Sequence, residues 1–226
     1  MVPKYILTFH EAQEPLTSLV TKFGGQPTWL GEPQWPLSRS TERPMRFICQ
    51  IALDPHIFGD IPGRMAYVFM TDNEDEDVGS TWESDGGENA IIVQPGMCEV
   101  PTLPLAIGPT LYKIVESYQR TRVSVACEFA VELTPGEDPD SLAEDEAVHA
   151  SEESWQTFTA CWDEDKIGGT PAFLQGPEFP AGGTWRLLMQ LNANKDIFEI
   201  NFGDAGIGYA FLSEDGTRGK FLWQCL

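Results

Sequence analysis

The chain has 226 residues, with 14 Lys plus Arg against 35 Asp plus Glu, for a formal net charge of −21. That balance argues against binding nucleic acid through its phosphates and against docking on an anionic membrane, since both need cations on the protein. It suits a chain whose partner presents a basic face.

The opening, MVPKYILTFHEAQEPL, holds no long apolar run and turns acidic at once. No stretch approaches the roughly 20 apolar residues of a membrane span, so no membrane attachment is expected. Residues 11–22 carry Leu16, Leu19 and Val20 at helical spacing before a Gly24-Gly25 stop, which predicts a short amphipathic helix. Residues 25–44 contain Pro27, Pro33, Pro36 and Pro44, which exclude a helix interior and a central strand. Residues 46–53, 64–71 and 90–94 read as strands, the third ending in a Pro95-Gly96 turn. Residues 110–120 fit helix or strand. Residues 122–133 alternate Val123, Val125, Cys127, Phe129, Val131 and Leu133 with polar or small residues, the clearest period-two strand in the chain.

Residues 137–165 hold 11 acids and no Lys or Arg, with a helical reading over 141–162. Strands are then predicted at 185–191, 198–201, 208–213 and 220–224. Glu214-Asp215-Gly216 marks a tight turn, so the last two should form a hairpin.

The chain also contains itself twice. KFGGQPTWLGEPQWP at 22–36 returns as KIGGTPAFLQGPEFP at 166–180, RFICQI at 46–51 as RLLMQL at 186–191, and YVFMTD at 67–72 as YAFLSE at 209–214. Trp82 is a candidate match for Trp223. Block order is kept while the offset drifts, as surface-loop insertions would produce.

Catalytic and metal motifs are thin. The K-[FI]-G-G-x-P block is a poor phosphate loop, because its prolines remove backbone N–H donors. His10, His56 and His149 show no zinc spacing, and no G-x-S-x-G elbow is present. Cys49, Cys98, Cys127, Cys161 and Cys225 are odd in number and lack C-x-x-C spacing, which predicts reduced thiols in the cytoplasm. The run Asp72, Asn73, Glu74, Asp75, Glu76, Asp77 lacks the EF-hand pattern and reads as a solvated acidic loop, with opportunistic divalent binding or a partner patch as alternatives. Arg46 and Arg186 open apolar strands, with Gln50 and Gln190 four residues on. In a strand these positions share a face. Such pairs either tie down long loops or line a polar cleft between the halves, with aromatic walls from Trp29, Trp35 and Phe179.

The doubled K-[FI]-G-G-x-P-x-[WF]-L-x-x-P-x-[WF]-P block, the following [FL]-[IL]-x-Q-[IL] strand, the GGENAIIVQPG segment at 86–96 and the GYAFL run at 208–212 are similar to the YwqG-like family of bacterial proteins. The likeness spans residues 22–224 and is least in 137–165. It implies a mainly β, roll-like fold with an internal duplication and supplies no catalytic residues. For some members it implies a role as an immunity protein in bacterial toxin systems.

The expected fold is mainly β (α+β): antiparallel roll-like sheets with an internal duplication and a few short helices. It forms a single domain over 1–226, with pseudo-repeat halves at about 1–136 and 166–226 joined by the acidic segment 137–165. The expected function is that of a non-enzymatic, cytoplasmic acidic binding protein that docks a basic protein partner, an immunity protein neutralising a toxin being one form of it. No cofactor or metal is called for. The partner-binding candidates are Asp72, Glu74, Asp75, Glu76 and Asp77 with Glu144, Asp145 and Glu146. The alternative is a small-ligand or enzymatic site in a cleft between the halves, built from Arg46, Gln50, Arg186, Gln190, Trp29, Trp35 and Phe179.

Overall fold

The computed structural model describes residues 1–72, 80–96, 107–116, 121–140, 160–193 and 197–226. In chain order the strands are β1 (Val2–Glu11), β2 (Lys22–Gly24), β3 (Arg46–Ala52), β4 (Gly63–Met70), β5 (Asn89–Pro95), β6 (Tyr112–Glu116), β7 (Arg122–Ala126), β8 (Glu128–Asp138), β9 (Lys166–Gly168), β10 (Trp185–Asn192), β11 (Ile207–Ser213) and β12 (Gly219–Gln224). One short helix, α1 (Pro55–Phe58), and a 3₁₀ turn at Cys161–Asp163 complete the described elements.

Among the described residues, ten strands close into an antiparallel barrel in the order β1-β8-β2-β3-β4-β5-β12-β11-β10-β9, while β6 and β7 form a separate two-stranded ribbon. The runs β2 to β5 and β9 to β12 follow each other around the barrel in matching order. They meet at β5·β12 through Gly219↔Ile91. On the other side β1 and β8 run the full Val2↔Asp138 to Glu11↔Phe129 register, with β2 beside β8 and β9 beside β1.

All ten barrel strands send side chains into one interior cluster, where Cys49 Sγ and Met189 Sδ approach to 3.7 Å. Two further clusters lie on the outer faces. Trp29, Phe47, Tyr67 and Phe69 form one, and Phe173, Leu187, Tyr209 and Phe211 form the other. The proline-rich segments carrying Trp29 and Phe173 supply the outer layer. Strands β3, β4, β10 and β11 are therefore covered on both sides, which explains their nearly continuous apolar sequences.

Several expectations need correcting. The predicted helix at 11–22 is the end of β1, a loop and the start of β2. In that loop the carbonyls of Leu16, Ser18 and Val20 accept from the side chains of Lys22 and Gln50 rather than from helical N–H groups. The period-two run at 122–133 is two strands broken at Cys127, whose N–H donates to Leu111 O. Alternation continues across the break, but only β8 enters the barrel. Residues 198–201 form no strand; Phe198 instead plugs the interior against Phe9, Phe23 and Phe129. The N-terminal strand β1 was not anticipated. The predicted helix at 141–162 falls mostly outside the described residues.

Candidate functional site

The polar residues shared by the two blocks form clamps on the proline-rich segments. Gln50 Oε1 accepts from Thr28 N–H at 2.8 Å, and its Nε2 donates to Val20 O at 2.8 Å. Gln190 Oε1 accepts from Ala172 N–H at 2.9 Å, and its Nε2 donates to Cys161 O at 2.8 Å. The Tyr67 and Tyr209 hydroxyls donate to Thr28 O and Ala172 O. Gln94 grips the backbone at Gly31 and Glu32, and Gln224 does the same at Gln175 and Gly176. Prolines leave these loops few internal hydrogen bonds, so buried side chains satisfy the backbone instead.

Two lysines sit beneath the glycine pairs. Lys22 is 1% exposed; its ammonium meets Glu128 at 2.7 Å and donates to Leu16 O and Gln26 O. Burial pulls the Lys22 pKa below its ordinary value, with Glu128 opposing. Lys166, 0% exposed, meets Asp138 at 2.7 Å and donates to Thr170 O. Lys4 also reaches Asp138 at 2.7 Å and pairs with Glu164. The glycines are required by both shape and space. Gly24, Gly25, Gly168 and Gly169 all have φ near +70°, and a Cβ at Gly25 or Gly169 would collide with the carboxylate of Glu128 or Asp138.

Arg46 and Gln50 do not share a face. A β-bulge shifts the register between Phe47 and Cys49, and another does so between Leu187 and Met189. Each bulge inserts one residue, so Gln50 and Gln190 join the outer clusters while Arg46 and Arg186 turn to the opposite face. Arg46 lies 4.9 Å over the Tyr112 ring, pairs with Asp72 and donates to Glu199 O. Arg186 lies 5.7 Å over Phe58 and donates to Phe58 O and Glu214 O. Each arginine thus reaches across to the other run of strands.

The candidates for a cleft between the halves are therefore divided. Trp29 is fully buried and Trp35 partly buried on the Gln50 flank, whereas Phe179 is 51% exposed beside Phe173 and Phe211. Arg46, Asp72, Tyr112, Glu199, Ile200 and Asn201 line a cleft of about 310 Å³. Of the acidic candidates, Asp72 is 41% exposed and engaged by Arg46. Glu74, Asp75, Glu76, Asp77, Glu144, Asp145 and Glu146 lie outside the described residues. A larger cleft of about 410 Å³ opens beside Glu11, Glu14, Gln26, Cys127 and Glu128.

Burial pushes the Cys127 thiol up to about 11 and the Cys49 thiol well above its usual range, so both are protonated at neutral pH and poor nucleophiles. Among the described residues, no three His, Cys, Asp or Glu side chains converge as metal ligands. No described helix is long and apolar enough to cross a membrane. Sequence reasoning did not single out Lys22, Lys166, Tyr67 and Tyr209 as clamps, although each recurs in both blocks.

Residues 21–221 match the family model described as Domain of unknown function (DUF1963), and the chain belongs to that family. No curated protein matches it.

Proposed function

We propose that this member of the DUF1963 family is a non-enzymatic, cytoplasmic binding protein whose acidic surface docks a basic protein partner, an immunity protein against a basic toxin being one form of that role. We also read the two runs of strands as products of an internal duplication that carried the clamps into both halves. The observation supporting the docking role is the charge left at the surface. Lys4, Lys22, Lys166 and Arg46 are buried in internal pairs, whereas Glu14, Glu32, Glu42, Glu137 and Glu178 are exposed. Among the described residues the four buried cations are nearly balanced by the buried Glu88, Asp138 and Asp165, so the acidic excess of the chain is left to the surface. Such a surface steers a basic partner by long-range attraction, with affinity that falls as salt screens it.

The test is capture of partners from the source cell at low and high salt, repeated with Glu144, Asp145 and Glu146 changed to Lys. A basic protein held at low salt, released at high salt and lost with the triple variant supports the role. Capture unaffected by both salt and charge reversal overturns it.

A second reading is favoured by the cleft of about 310 Å³ at Arg46, where a buried guanidinium faces the 41%-exposed Asp72. A small carboxylate or phosphate ligand that displaces Asp72 would bind there. Thermal shift with such anions, compared between wild type and Asp72→Asn, tests it. A shift enhanced in the variant supports an anion site; no shift in either protein removes it.

A further inference from the structure

The ribbon of β6 and β7 is the one described sheet that stands apart from the barrel. Strand β7 pairs with β6 through Tyr112↔Ala126, Lys113↔Val125, Ile114↔Ser124, Val115↔Val123 and Glu116↔Arg122. No pairing on its other edge occurs among the described residues, and all five of its residues are exposed. Val123 and Val125 are 43% and 40% exposed. An unpaired edge carrying two β-branched apolar residues is a template for another strand, and natural proteins usually blunt such edges with charge, proline or a bulge. Here only Arg122, at the end of the strand, carries charge.

We propose that β7 pairs with β7 of a second copy, antiparallel about a two-fold axis through Ser124, to give a four-stranded sheet β6-β7-β7′-β6′. The sequence Arg122-Val123-Ser124-Val125-Ala126 is nearly palindromic about its midpoint. Centring on Ser124 overlaps all five residues and sets Val123 opposite Val125 of the second copy, twice. It sets Arg122 opposite Ala126, so no like charges face each other directly. Cross-strand pairs of β-branched residues stabilise a sheet, and like charges directly opposite destabilise it. The sequence of the ribbon is also locally basic, with Lys113 engaged by Glu11. Residues 112–126 contain Lys113, Arg120 and Arg122 against Glu116, in a chain of net charge −21.

Two properties follow. A contact limited to one edge and a few side chains falls below the roughly 1,200 Å² of a standard stable interface, so the dimer is weak and concentration-dependent. Two chains of the same sign repel at long range, so self-association strengthens as salt rises. Docking of a basic partner has the opposite salt dependence, which keeps the two contacts distinguishable.

The decisive test is disulfide trapping of the full chain with Cys98, Cys161 and Cys225 replaced by Ser. In the proposed register, residue 124 faces itself within disulfide reach, whereas the two copies of residue 123 are offset by two residues and stand about 8 Å apart, beyond that reach. Ser124→Cys should give a covalent dimer under mild oxidation at roughly 100 µM protein, and Val123→Cys should not. A mixture of Val123→Cys and Val125→Cys should cross-link to each other. In sedimentation, the wild-type dimer fraction should rise between about 50 and about 500 mM salt. Val125→Asp, confirmed as folded by circular dichroism, should abolish the dimer. A wild-type chain that stays monomeric at both salts overturns the proposal, as does cross-linking of Ser124→Cys no faster than that of Val123→Cys.

Discussion

Asp138, which was not among the functional candidates chosen from the sequence, ties the second block to β1. Its two carboxylate oxygens take Lys4 and Lys166 at 2.7 Å each, and Thr170 N–H donates to it at 2.9 Å. Burial pushes its carboxyl up, but hydrogen bonds from Lys166 and Lys4 overturn that and hold it below the ordinary value. A depressed folded value means the stabilisation is present above the unfolded value near about 4 and is lost as pH falls through the folded one. The pKa of Lys4 is raised, so its contribution holds in neutral solution and disappears only in strong alkali. Asp138→Asn should therefore lower stability at pH 7 by about 3–5 kcal/mol, since among the described residues it leaves the buried Lys166 ammonium without a carboxylate and Lys4 with Glu164 alone. It should also flatten the acid limb of the stability profile. Urea midpoints measured from neutral to acid pH check both effects, and an unchanged acid limb would assign the acid sensitivity to other carboxylates.

The clamped segments show how a short strand and a proline-rich loop become one element. Gln50 and Gln190 each lie one strand position past a bulge, which turns their amides to the outer face, where the loop backbone needs donors and acceptors. Gln50→Leu and Gln190→Leu should each cost about 1–3 kcal/mol per backbone group left unpaired. The double variant should be additive, because the two clamps sit in separate outer clusters. Chemical denaturation of the three variants checks this, and strong non-additivity would mean that the flanks communicate through the barrel. The strands at 46–53, 64–71, 90–94, 185–191, 208–213 and 220–224 were legible because unbroken apolar runs between turn residues have few other solutions. The bulges were not legible, because one inserted residue leaves no mark on an apolar run that is buried on both faces. The helix expected at 11–22 failed for a related reason. Its apolar spacing is local, whereas Gln50, whose amide captures the Ser18 and Val20 carbonyls, comes from β3.

Closure of the barrel brings strands from both ends of the chain into one sheet. Strand β9 pairs with β1, from the opposite end of the chain, and β12 pairs with β5. Separate expression of residues 1–140 and 160–226 should give no cooperative unfolding transition from either piece, because each would expose unpaired strand edges and half of the interior cluster. Co-expression should restore a single transition; two independently folding pieces would refute the dependence. Composition and periodicity were enough for a mainly β chain and most strand positions, since these follow from residue chemistry and local spacing. They did not reveal barrel closure, the pairing of β1 with both β8 and β9, the separation of Arg46 from Gln50, or the exposed edge of β7. Those features depend on which residues distant in sequence meet, and a strand's alternation is the same whether its neighbour is a barrel wall, a ribbon or water.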